Sequence, residues 1–162
     1  FCSLANARSI PLAKAIAERF DNIDFQHDIG EIELNMSGCM NACGHHHVGN
    51  IGILGVDKDG EEWYQISIGG AQGNGASLGK VIGRSFKFEQ VPAVVERLLE
   101  IYVRERFDGE RFIDTVGRLG QEPFKQAVYG SEVATDDRLQ GAGYALIGDV
   151  TPYATPYYSP RF

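Results

Sequence analysis

The chain has 162 residues, 43% of them hydrophobic, and a formal net charge of -7. That length is one domain, or one domain and a tail, with ample apolar material for a core. The acidic balance excludes the basic face a nucleic-acid binder needs, and no apolar run reaches the length of a bilayer span.

In chain order, Ser9-Ile10-Pro11 marks a helix start, because proline is tolerated in a first turn. Leu12, Ala15, Ile16 and Phe20 come next at helical spacing as one buried stripe. The alternation of Glu31-Ile32-Glu33-Leu34-Asn35-Met36 predicts a half-buried strand. A cysteine loop lies just past that strand's C-terminal end. Ile51 to Val56 predicts a central strand, Asp57-Lys58-Asp59-Gly60 a turn and Glu62 to Ile68 its hairpin partner, with Tyr64, Ile66 and Ile68 on one face. The segment from Gly69 to Gly83 is a glycine-rich loop, and Ser85 to Phe88 a short strand. Val91, Val94, Val95, Leu98, Leu99 and Tyr102 form the apolar stripe of an amphipathic helix, with Glu100 and Arg104 paired on its wet side. Two shorter helices, near Glu110 to Leu119 and Pro123 to Tyr129, divide at Gly120. From Ser131 the chain turns irregular, with Pro152, Pro156 and Pro160 among Tyr153, Tyr157 and Tyr158. The pattern is α/β: a mixed sheet flanked by helices.

The three cysteines are Cys2, Cys39 and Cys43. An odd count argues against a disulfide framework and for a reducing compartment, the cytoplasm. Cys39 and Cys43 lie in a loop bounded by Gly38 and Gly44, where the backbone can turn tightly and aim N–H groups at sulfur. Thiolates are soft ligands, suited to zinc, copper(I) or an iron–sulfur cluster. Spacing alone leaves both readings open: a Cys3His zinc site that adds one of His45, His46 and His47, or a cluster cradle.

Gly38-Cys39-Met40-Asn41-Ala42-Cys43-Gly44 resembles the second cysteine motif, Gly-Cys-x-Asn-x-Cys, of the sirohaem sulfite and nitrite reductases. Phe1-Cys2-Ser3-Leu4-Ala5-Asn6-Ala7 resembles the end of the family's first motif, Cys-x5-Cys, and the residues after it. Asn50 to Gly55 is similar to the strand after the cysteine loop, and Tyr64 to Gly70 to a hairpin strand ending in Gly-Gly. The resemblance implies a three-layer sheet-and-helix domain over residues 1–130, with 131–162 as a tail lacking a counterpart. It implies a [4Fe–4S] cluster held by four cysteines. Cys2 and Cys39 are cluster ligands, Cys43 is the ligand that also bridges to the sirohaem iron, and Asn41 braces the loop or donates to a cluster sulfur, with a purely structural turn as the alternative. The fourth cysteine then lies upstream of Phe1, so the chain reads as the C-terminal piece of a larger enzyme. The implied reaction is six-electron reduction of sulfite, or of nitrite, with electrons from a ferredoxin or a flavoprotein. The family's substrate-binding Arg and Lys side chains belong mainly to upstream regions. This piece is expected to be inactive alone, its cluster absent or incomplete, and no catalytic residue is assigned to it.

The remaining signals are weaker. His45-His46-His47 reads as a solvated or cofactor-facing loop. Gly73-Asn74-Gly75-Ala76-Ser77-Leu78-Gly79 misses the dinucleotide fingerprint in its third-glycine spacing. Lys80 and Arg84 are solvated loop charges by default, with a sirohaem carboxylate as the alternative.

Overall fold

A parallel strand pair organises the molecule. In the computed structural model, which describes residues 2–20 and 29–130, β1 (Leu34–Ser37) runs parallel to β2 (Ile51–Lys58), with Leu34 opposite Ile51 and Ser37 opposite Leu54. Parallel strands cannot be joined by a tight turn and need a crossover of about a dozen residues. Here the crossover is residues 38–50, which carry Cys39, Cys43 and a 3-10 turn, His46–Val48. The cysteine loop is therefore the connection that makes the parallel pair possible.

β2 turns back antiparallel into β3 (Glu61–Ile68). Asp59 and Gly60 both have positive φ, 56° and 81°, which is the two-residue hairpin geometry whose twist matches the flanking strands. β3 pairs in turn with β4 (Lys80–Val81), giving a sheet of order β1-β2-β3-β4. The strand expected over Ser85 to Phe88 shrinks to one bridge, Phe86 to Tyr64, because the chain turns at Phe88–Gln90 into the next helix. The two-residue β4 inside the glycine-rich loop has too little pattern to be read from sequence. β1 starts at Leu34, three residues later than the alternation suggests.

The two faces of the sheet differ in chemistry. Ile51, Ile53, Tyr64, Ile66 and Ile68 point to one side, where all are nearly solvent-free. They pack against α1 (Ser9–Phe20), α2 (Val91–Glu105), α3 (Phe112–Leu119) and α4 (Glu122–Tyr129). The α2 stripe is buried as expected except Leu99, which is half-buried, and Ile101 joins it. Arg104 pairs with its neighbour Glu105 rather than with Glu100. The aromatic run Tyr102, Phe112 and Phe124, stacked edge to face at 5.4 and 5.9 Å, joins α2, α3 and α4. Gly120, at φ 73°, ends α3 where the sequence divides the two last helices.

The opposite face presents Gly52, Leu54, Val56, Gln65 and Ser67. Among the described residues this side is covered by the cysteine loop and its 3-10 turn, so the third layer is a loop rather than a helix. No described helix is long and apolar enough to cross a membrane. The Pro- and Tyr-containing segment 131–162 lies outside the described residues, as does Phe1.

Candidate metal centre

Small residues bring the two cysteine segments together. Ala7 N–H donates to Gly38 O at 3.0 Å, directly before Cys39. A side chain at Gly38 would put its Cβ 2.7 Å from Ala7 O and 3.1 Å from the Ala5 methyl. One at Gly55 would meet the Ala7 methyl at 2.5 Å and Gly38 O at 2.6 Å. Segment 5–7 thus lies in van der Waals contact with the start of the Cys39 loop and with β2. Two glycines and two alanines are what permit that approach.

The N-terminal segment is also tied to the hairpin. Glu62 accepts the Arg8 backbone N–H at 2.8 Å, the Arg8 Nε–H at 2.9 Å, and the Tyr64 hydroxyl. Burial and the Glu62 carboxylate together raise the Tyr64 pKa.

All three thiols are free. Cys39 is buried; Cys2 and Cys43 are exposed. Leu4 N–H points at Cys2 Sγ at 3.4 Å, the kind of contact that steadies a thiolate ligand. Cys43 Sγ lies 3.9 Å from Asn41 O. That contact uses the Asn41 carbonyl; its side-chain amide, expected to brace the loop, is exposed. Among the described residues no three His, Cys, Asp or Glu side chains are gathered as a metal site. The fit to a cluster therefore rests on the donor set, three free thiols on two segments that touch.

The histidines separate. His45 and His47 are exposed, but His46 is only 6% exposed. Its Nδ1 lies 3.0 Å from Ser37 Oγ, and its ring stacks on His47 with centroids 3.9 Å apart. Burial, and secondarily the His47 charge, push its pKa down to about 4. The solvated loop expected for all three histidines thus holds at two of them. A buried imidazole tied to a serine is not presented to the cysteines as a fourth ligand. The zinc site built from Cys2, Cys39, Cys43 and a histidine has no support here.

Beside the loop, over the second face of the sheet, opens a cleft of about 530 Å³. Its floor is Leu54, Val56, Gln65 and Ser67; its walls include Asn6, Met40, His46, His47, Leu78 and Val81. Among the described residues, Asp57 is the charged residue in this lining, which contains no Arg or Lys. Lys80 alternates with Gly79 and Val81 along the chain and is not among the lining residues, and Arg84 offers its backbone carbonyl to Tyr129.

The family model of the nitrite and sulphite reductase 4Fe-4S domain matches residues 8–136. The chain belongs to this family. The matched span includes Cys39 and Cys43, begins after Cys2 and runs a few residues into the tail. Among curated relatives, the sulfite reductase (NADPH) hemoprotein beta-component of Anoxybacillus flavithermus is 31% identical over 121 residues, 74% of this chain and 20% of that protein. The assimilatory ferredoxin-dependent nitrite reductase of Haloferax mediterranei is 30% identical over 141 residues, 84% of this chain and 24% of that protein. The chain thus spans about a fifth to a quarter of the relatives it matches. Among solved structures, Mycobacterium tuberculosis NirA aligns with a TM-score of 0.62 at 26% identity, over 76% of this chain and 24% of that one. Dissimilatory sulfite reductase I shares the fold, with a TM-score of 0.67 at 13% identity over 98% of this chain and 59% of that one.

Reading the sequence alone misses Ser37 and the Arg8–Glu62–Tyr64 lock. The close-packing signal for the first contact, Ala5 and Ala7 against Gly38 and Gly55, is present but scattered over fifty residues.

Proposed function

We propose that this 4Fe-4S family domain is the cluster-bearing C-terminal part of a sirohaem-dependent reductase that converts sulfite to sulfide, or nitrite to ammonia. Sulfite is the preferred substrate. The observation that carries the reading is the seating of the Cys2 segment on the start of the Cys39 loop, by the Ala7 N–H to Gly38 O bond. That contact lies in a chain whose cysteine loop falls within a 4Fe-4S family match. Cys2 and Cys39 would hold the cluster, and Cys43, exposed at the end of the loop, would be shared with the sirohaem iron. When bound, the coupled centre supplies stored electrons next to the metal that carries the substrate. The protein's part is to hold two sulfurs on the loop beyond the end of β1 and a third on the N-terminal segment seated against it, and to offer N–H donors such as that of Leu4. Asn41 stands at the loop's outer rim.

A sulfite or nitrite anion needs cationic neighbours, and the cleft beside the loop has no Arg or Lys in its lining among the described residues. The remainder of the same polypeptide would supply them, as well as the fourth cysteine. A ferredoxin or a flavoprotein would deliver the electrons; the names of the relatives give ferredoxin and NADPH. The isolated chain is then a cluster floor without a substrate cage, and is expected to show no turnover.

The test is iron and labile sulfide in the full-length protein, read with its visible absorption. Cys39→Ser and Cys43→Ser are expected to lose the cluster, and Cys43→Ser also the coupling of the haem spectrum to cluster reduction. Full occupancy of cluster and haem in Cys43→Ser, with unchanged spectra, would overturn the bridging role. An iron-free, colourless parent would overturn the reductase reading.

A further inference from the structure

The Ser37 hydroxyl stands at the neck of the cysteine loop. It accepts the Gly44 N–H at 3.2 Å, immediately after Cys43, and lies 3.0 Å from His46 Nδ1. Its own residue is two positions before Cys39, so one side chain touches both arms of the loop. Ser37 is 3% exposed. A hydroxyl there has one proton, and Gly44 already occupies it as an acceptor. If His46 also donated to it from Nδ1–H, the serine proton would have no acceptor among the described residues. A buried donor left without an acceptor is strongly disfavoured. The satisfied arrangement has the serine donating to an unprotonated Nδ1, which places the imidazole proton on Nε2.

His46 Nε2 has no hydrogen-bond partner among the described residues, yet no buried side-chain nitrogen or oxygen there lacks one. Nε2 is therefore the edge of the ring that solvent reaches, and His46 lines the cleft. The depressed pKa agrees with a ring kept neutral at this position.

We propose that Ser37 and His46 are positioning residues that clasp the cysteine loop, the serine taking the Gly44 N–H and giving its proton to His46 Nδ1, so that a neutral Nε2–H faces the cleft. The clasp rests on the cluster reading only in the use made of Cys43. Its physical content is that the turn carrying Cys43 is fixed before any ligand arrives, which lowers the ordering cost of binding. The presented Nε2–H gives the cleft a hydrogen-bond donor without a charge, suited to an acceptor oxygen on a bound group.

The experiment uses this chain with ¹⁵N-labelled histidine and no metal. At pH 7 the His46 nitrogens are expected to show a protonated Nε2 and an unprotonated Nδ1. Ser37→Ala is expected to mix the tautomers, speed Gly44 amide exchange by about tenfold and speed Cys39 alkylation by about fivefold. Ser37→Thr keeps the hydroxyl, and His46→Asn puts an acceptor oxygen where Nδ1 stood. Both are expected to keep Gly44 exchange within about twofold of the parent. A protonated Nδ1 in the parent overturns the proposal, as does Gly44 exchange unmoved by Ser37→Ala. Should Ser37→Ala fail to fold, the parent tautomer and His46→Asn still decide. In the full-length protein, Ser37→Ala is expected to shift the cluster's magnetic resonance spectrum, and Ser37→Thr to leave it in place; an unshifted Ser37→Ala spectrum counts against the clasp. Failure of that parent to take up iron would sink the reductase reading, while the tautomer and exchange results would still judge the clasp.

Discussion

Gly52→Ala tests how tightly the 3-10 turn sits on the sheet. A Cβ at Gly52 would lie 2.5 Å from Ser67 Oγ and closer still to His46 O. The second obstacle is backbone, so no flexible side-chain end can swing aside. Ordinary contact begins near 3.5 Å, so the turn would have to rise by roughly 1.4 Å. Forced overpacking of this kind costs about 3 kcal/mol. For a domain of this size that lowers Tm by about 10 °C. Gly117→Ala supplies the opposite sign from the same chemical change. Gly117 is exposed in α3, with nothing near where its Cβ would go. Alanine there removes the glycine penalty and gains about 0.5–1 kcal/mol. Both variants are read by urea and thermal denaturation against the parent. A Gly52→Ala midpoint within about 1 °C of the parent, or both variants moving in the same direction, would refute the close seating of His46 on β2.

Two further outcomes rest on the same packing. His46 has a folded pKa of about 4 against an ordinary 6.5, so between those values the unfolded chain takes up a proton that the folded chain refuses. Its contribution to stability is whole above pH 6.5 and is lost as the pH falls toward 4. Full conversion would be about 3 kcal/mol, and about half that once solvent at the open ring edge is allowed for. Denaturant midpoints of parent and His46→Gln are expected to converge by about that amount from pH 7 to 4. Parallel curves would show that the ring is not held neutral. At the N-terminal lock, Arg8→Ala is expected to cost under about 1 kcal/mol, because the Arg8 side chain is 66% exposed. Glu62→Ala leaves the Arg8 N–H without its acceptor and the Tyr64 hydroxyl with only Arg8 O at 3.1 Å, and is expected to cost about 2 kcal/mol. Equal losses in the two variants, measured in urea, would contradict the assignment.

Where the sequence carries period and turn chemistry, it can be read. The α2 stripe from Val91 to Tyr102 and the Asp59-Gly60 hairpin fall where their patterns place them, since each depends on neighbours in sequence. The helix division at Gly120 does too. β4 escapes because two residues contain no period; it exists because Ser67 and Ile68 need pairing partners. The site divides along the same line. Cys39, Cys43 and the bounding glycines form a local motif. The seating of Ala5 and Ala7 on Gly38 and Gly55 joins residues far apart in the chain, and so does the bond from Arg8 to Glu62. Small residues far apart give no signal until the backbone has brought them into contact. The histidine triplet shows the same limit from the other side. Three identical residues in a row end in different surroundings, because a 3-10 turn sends only the middle one against Ser37.

Because the stretch bearing Cys39 and Cys43 is also the strap between β1 and β2, its length is constrained twice, by sulfur geometry and by the span across the sheet. Insertions there would shift the register of an edge strand, so natural variation at this place should come as exchanges of residue type at constant length.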